Sequence, residues 1–187
     1  MLHALKSHPL KKVIVVSSTR VYGESAGERV DDDTSPQPSD AQGQVLLNME
    51  TLWQQAYPSE CVIVRPTGIY GISVSRMIKL AGTTKAYPRL HWSNRIHIDD
   101  LVAFLAHLLH VEHTEKSYIC SNSQPLPLHE IIQWFQQQLG LPVLILESDV
   151  PSGKQIYASR MQQMNFELQH SHCFDDYLAL LAERESK

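Results

Sequence analysis

Four consecutive apolar residues, Val13-Ile14-Val15-Val16, run directly into three hydroxyl residues, Ser17-Ser18-Thr19, and then into Arg20-Val21-Tyr22-Gly23. An unbroken, mostly β-branched run of this length predicts a strand buried on both faces, the pattern of a parallel sheet covered by helices on each side. In open parallel sheets, ligands and chemistry gather beyond the carboxyl ends of the strands. Ser17, Ser18 and Thr19 therefore lie where a substrate would lie. An ordinary Ser/Thr turn after a strand accounts for the same residues, and both readings stand at this point.

The apolar run returns twice. Cys61-Val62-Ile63-Val64 reads as a second buried strand and Ser117-Tyr118-Ile119-Cys120 as a third. A helix is predicted over 40–56, with Ser39 and Gln42 as a capping box and Val45, Met49, Leu52, Trp53 and Ala56 on one face. A short helix follows over 75–80. Asp99 and Asp100 predict the next helix start, as N-cap and first-turn carboxylate, with Leu101, Phe104, Leu105 and Leu108 on the core side. Another helix opens at Pro127 and runs to Leu139, with Gly140 as its C-cap. Residues 141–146 read as a short edge strand, and 159–166 and 174–183 as closing helices. Residues 1–9 read as the tail of a helix and a turn. Asp31-Asp32-Asp33 reads as a solvated loop flanked by Pro36 and Pro38. The class is α/β, with a parallel sheet flanked by helices.

With 187 residues, 43% of them hydrophobic, the chain supports one domain with a real core. A net charge of −4 without clustered Lys or Arg argues against a nucleic-acid surface. No apolar run approaches membrane-spanning length, and the first residues lack a signal-peptide core. Cys61, Cys120 and Cys173 are odd in number and far apart, as expected of reduced thiols in a cytoplasmic protein. His107, His110 and His113 drift around their helix, so no metal site is expected there.

Val16-Ser17-Ser18-Thr19-Arg20-Val21-Tyr22-Gly23 resembles the post-strand segment of NAD(P)-dependent epimerases and dehydratases, within the extended short-chain dehydrogenase/reductase superfamily. Val64-Arg65-Pro66-Thr67-Gly68-Ile69-Tyr70-Gly71 resembles that family's next strand end, and Ile96-His97-Ile98-Asp99-Asp100 its later Ile-His-Val-x-Asp segment. The resemblance implies a partial Rossmann-like sheet, residues 1–72 and 96–146, with a small substrate-side lobe from 73–95 and 147–187. It implies NAD or NADP as cofactor, with Pro66 and Thr67 along the nicotinamide edge. It makes Ser18 the candidate catalytic hydroxyl, supported by Tyr22. The family's Tyr-x-x-x-Lys pair would fall on Gln42 and Leu46, and neither can exchange a proton or hold a charge. The family's diphosphate-binding Arg would fall on Ser93. Arg95, two residues on and on the same side of an extended segment, could substitute. His97 is expected to be a packed, hydrogen-bonded residue. A substrate-binding Asn of many relatives is replaced by Gly68.

No Gly-x-Gly-x-x-Gly or Gly-x-x-Gly-x-x-Gly occurs in the chain. The resemblance therefore covers the family's C-terminal two-thirds, and a truncated domain is expected. Its first strand, 13–16, would then be an open edge, inviting self-association, most simply as a twofold dimer. Two functional expectations follow. One is an epimerase/dehydratase family protein that is inactive or partial as the chain stands. The other is a non-catalytic module on the same scaffold that binds a small molecule or serves assembly.

Overall fold

The computed structural model describes residues 10–185, so the helical tail expected over 1–9 lies outside the described residues. In order, the elements are β1 (Val13–Val16), a 3-10 turn (Thr19–Val21), β2 (Ala26–Val30), α1 (Ala41–Ala56), β3 (Cys61–Pro66), β4 (Gly68–Tyr70), α2 (Ser75–Thr83), β5 (Ala86–Tyr87), β6 (Leu90–Ser93), β7 (Arg95–His97) and α3 (Ile98–His110). Then come β8 (Ser117–Cys120), β9 (Leu126–Pro127), α4 (Leu128–Gln138), β10 (Ile145–Leu146), β11 (Pro151–Ile156), α5 (Ser159–Gln163) and α6 (Cys173–Glu185). Among the described residues, no helix is long and apolar enough to cross a membrane.

The three apolar runs form one parallel sheet in the order β1-β3-β8. Val13 stands opposite Cys61, and Ile63 opposite Ser117. Every residue of β3 is buried. Its alternating side chains feed two cores: Val62 and Val64 join Phe104 and Leu108 of α3, while Cys61 and Ile63 join Met49 and Trp53 of α1. The strand over 13–16 departs from the expectation of burial on both faces. Only Val15 is buried, and Val16 is 48% exposed, because β1 is an outer strand among the described residues.

A second sheet runs β2-β11-β6-β9, with β11 parallel to both neighbours and β9 antiparallel to β6. The polar stretch 26–30 and residues 152–156, which resemble the family's loop before its C-terminal helices, are thus paired strands. The edge strand expected over 141–146 is confined to Ile145–Leu146, against Ala86–Tyr87. A small parallel pair, β4 with β7, sets Gly68 opposite Arg95 and Tyr70 opposite His97.

The buried face of α1 is rotated from the one that hydrophobic spacing predicts. Val45 and Leu52 are 67% and 55% exposed, whereas Gly43 and Glu50 are buried. Gly43 lets the helix approach the 3-10 turn so closely that a Cβ would sit 2.8 Å from the Arg20 carbonyl oxygen. Glu50 points at Arg65 on β3, accepting from Nη2 at 2.6 Å and Nε at 3.1 Å. Arg65 Nη1 donates in turn to the Tyr22 hydroxyl at 2.8 Å. The cap is Asp40 rather than Ser39: its Oδ1 accepts from the Gly43 amide at 2.7 Å.

Asp32, expected in a solvated loop, and Asp100, expected only as a first-turn carboxylate, are both buried and hold main-chain amides. Asp32 accepts from the Ile119 amide at 2.6 Å, from Ser159 Oγ at 3.0 Å and from the Arg160 amide at 2.9 Å. It caps α5, whose own Ala158 cannot. Asp100 accepts from the amides of Gln169 and His170 at 2.9 and 3.0 Å. The helix start assigned to Asp99 is instead capped by His97, whose Nδ1 accepts from the Asp99 amide at 3.2 Å.

Asp32→Ala strands three donors at once and should cost about 3 kcal/mol in urea unfolding; a loss below about 0.5 kcal/mol would mean that water replaces the carboxylate. Glu50→Ala leaves a buried guanidinium without its counter-charge and should cost about 3–5 kcal/mol. The double variant Glu50→Met, Arg65→Met should recover much of that loss in the same measurement, because no isolated charge remains buried.

Candidate functional site

Beyond β1 the chain turns at once. Ser18 caps the 3-10 turn, its Oγ accepting from the Arg20 amide at 3.2 Å. Thr19 Oγ1 donates to the Pro66 carbonyl at 3.4 Å, tying this turn to the end of β3. Ser17 is buried, and its Oγ has no hydrogen-bond partner among the described residues. Tyr22 does not support Ser18 in the way expected. It is 1% exposed, its hydroxyl belongs to the Arg65–Glu50 network, and Lys154 donates to its carbonyl. Burial pushes its phenol up in pKa, against the opposing pull of Arg65.

Pro66 and Thr67 are both buried at the end of β3. Thr67 spends its polar groups on β8: its amide donates to the Cys120 carbonyl at 3.0 Å, and its Oγ1 approaches the same oxygen at 3.4 Å. Gln42 and Leu46, with Arg20, Ala41 and Val45, line an open hollow at the start of α1. Arg20 is engaged there by Asp40, with Nε 3.0 and 3.1 Å from the two carboxylate oxygens.

A separate cleft of about 180 Å³ is walled by β4, α2, the 93–95 segment and α6. Arg95 lies in it, 8% exposed. Its Nε donates to the Tyr177 hydroxyl at 2.7 Å and its Nη1 to Ser93 Oγ at 2.8 Å. Ser93 and Arg95 thus meet on one side, as alternation along an extended segment requires. No carboxylate forms an ion pair with Arg95 among the described residues. A buried guanidinium with only hydroxyl partners lacks a counter-charge. Tyr177 is itself buried, which raises its phenol pKa, with Arg95 pulling the other way.

Ser18 and Tyr22 do not line this cleft, so the structure does not bring them together with Ser93 and Arg95. Two of its residues escape sequence reasoning. Arg76 stands in the first turn of a helix that looked merely structural. Tyr177 arrives from 82 residues beyond Arg95, at a distance that no local pattern encodes.

Beside the cleft, His97 and His170 stack with ring centroids 3.6 Å apart and planes 17° from parallel. His97 is the packed residue its context suggested. Gly71 makes room for it, since a Cβ there would fall 2.2 Å from His97 Nε2. Asp99 places a carboxylate near both rings, and ligand atoms of the three residues fall within 4.8 Å of one another. The arrangement does not suit a metal ion. Imidazole lone pairs lie in the ring planes, so nearly parallel rings do not converge on one point, and His97 Nδ1 already accepts the Asp99 amide.

No family model matches the sequence, and no curated protein matches it. Solved structures do. A protein from Methylobacillus flagellatus described as an NAD-dependent epimerase/dehydratase superposes with a TM-score of 0.84 at 35% identity, over 98% of this chain and 68% of that one. A conserved protein of unknown function from Silicibacter pomeroyi gives 0.77 at 20% identity, over 97% and 70% of the two chains. The dTDP-glucose 4,6-dehydratase of Bacillus anthracis, solved with NAD, gives 0.77 at 16% identity, over 99% and 66%. The chain spans about two thirds of the length of these structures. The latter two establish the Rossmann-like fold alone. Identity and coverage with the Methylobacillus protein go further: this chain belongs to the NAD-dependent epimerase/dehydratase family.

Proposed function

We propose that this chain is a ligand-binding member of its family that works without the Tyr-x-x-x-Lys proton transfer. Its ligand is a small anion, a phosphate ester or a carboxylate, held in the Arg95 cleft. The carrying observation is the buried Arg95 guanidinium, bonded among the described residues to Ser93 and Tyr177 alone and sharing its cleft with Arg76. An anionic ligand supplies the missing counter-charge through charge-assisted hydrogen bonds. Ser18 remains a catalytic candidate, as a hydroxyl at a strand end whose partner among the described residues is the Arg20 amide.

The residues in hand do not fit a dinucleotide. Thr67 is turned into the sheet, Gln42 and Leu46 line an open hollow, and these 187 residues contain no glycine-rich phosphate turn. We therefore derive no step through NAD or NADP. Three buried free thiols fit a reducing compartment such as the cytoplasm. A second reading, an assembly module, draws support from the outer position of β1 and the exposure of Val16.

Calorimetric titration with inorganic pyrophosphate and with citrate tests the anion site. Saturable binding of either is expected. Arg76→Ala, at an exposed position, should weaken it about tenfold with little change in melting temperature. Arg95→Ala should abolish it and also lower stability, since Tyr177 loses its partner. Neither anion binding at millimolar concentration would remove the proposal. Saturable micromolar NADH binding by the same protein would overturn the cofactor part. Light scattering at high concentration should report a dimer, and a monomer would remove the assembly reading.

A further inference from the structure

The imidazole stack joins separate segments beside the cleft. His97 ends β7 and caps α3, and its Nδ1, accepting the Asp99 amide, carries no proton in this arrangement. His170 precedes α6. Its Nδ1 lies 2.7 Å from Asp176 Oδ1 and its Nε2 lies 3.9 Å from Asp99 Oδ2. Its own amide is held by Asp100. Tyr70 donates to the other oxygen of Asp176 at 2.6 Å and stands edge-on to His97, with ring centroids 5.1 Å apart. Asp176 immediately precedes Tyr177, whose hydroxyl holds Arg95.

We propose that His170 is a positioning residue for the cleft. As an imidazolium between Asp176 and Asp99, stacked on neutral His97, it clasps residues 169–177 to the scaffold and so keeps Tyr177 on Arg95. The inference rests on the reading of this cleft as an anion site. It adds a proton on which the cleft's geometry depends.

The groups that face His170 are Asp99 and Asp100 of α3, Asp176 of α6, His97 of β7 and Tyr70 of β4. Burial works against its charge. The hydrogen bond to Asp176 and the charges of Asp176, Asp100 and Asp99 outweigh burial, so His170 titrates above its ordinary 6.5. The folded pKa is raised, so the clasp is complete below the unfolded value and is lost as pH rises through the folded one. The cleft therefore loosens on the alkaline side. The histidine is a quarter exposed, and its link to Arg95 runs through Asp176 and Tyr177 rather than by contact.

Histidine ring NMR and hydrogen exchange, corrected for intrinsic pH dependence, are measured on the whole protein from about pH 6 to 9. The His170 midpoint should lie above 6.5 and fall toward it in Asp176→Asn. Protection of 169–177 should drop about tenfold through the same midpoint, while β3 amides stay unchanged. His170→Gln should remove the pH dependence, which keeps the test open if Asp176→Asn fails to fold. Protection of 169–177 that is flat with pH overturns the proposal. So does a midpoint unmoved in folded Asp176→Asn, or pyrophosphate affinity unchanged through the His170 titration. Exchange that follows His170 with no pyrophosphate bound at any pH upholds the clasp and removes only the anion reading.

Discussion

Buried carboxylates holding main-chain amides are the constraint on which the C-terminal third of this molecule depends. Asp32 captures the start of α5 together with the Ile119 amide of β8. Asp100 captures Gln169 and His170 just ahead of α6. Each carboxylate is stranded in the interior unless its donors are present, and each donor is stranded without the carboxylate. The lobe is thus seated by a few polar contacts that have one correct arrangement. Apolar packing around Ile131, Ile132, Phe135 and Tyr177 then supplies bulk that such contacts cannot.

The same lobe completes the cleft. Arg95 comes from β7, and the Tyr177 hydroxyl that accepts from it comes from α6, 82 residues along the chain. Among the described residues no carboxylate pairs with this desolvated guanidinium, an unfavourable resting state for a charge that the proposed anion would relieve. The hollow at the start of α1 contrasts with it. There stand Gln42 and Leu46, on which the resemblance would place the family's acid/base pair, and Arg20 beside them is engaged by Asp40. The family's scaffold is present, and Tyr-x-x-x-Lys does not occur within these 187 residues.

Legibility in the sequence divided along the kind of interaction involved. Apolar runs announced the three strands of the parallel sheet. The helices were found from their apolar period, while two of their caps lay a residue or two away. On α1, Met49, Trp53 and Ala56 face the core as read, but Val45 and Leu52 do not. Its inner face is set by a glycine and a glutamate, residue types that hydrophobic spacing leaves out. Asp31-Asp32-Asp33 looked like a solvated run because charge density signals exposure on average. One of the three is buried, and only the approach of β8 and α5 distinguishes it from its neighbours. The strands at 26–30 and 151–156 carry weak patterns, since each depends on the other for its pairing.

By itself the sequence determined the α/β class, the three apolar strands of the parallel sheet, the lack of Tyr-x-x-x-Lys within these residues and the shared side of Ser93 and Arg95. These follow from local periodicity and residue identity, which a linear chain displays directly. Only the tertiary structure decided that Tyr22 is buried in the Arg65–Glu50 network, that Asp32 and Asp100 hold main-chain amides, and that Tyr177 lines the cleft with Arg95. Each of those depends on contacts between segments far apart in the chain. The free energy of a buried charge or hydrogen bond is set by what surrounds it, and those surroundings exist only once the chain has folded.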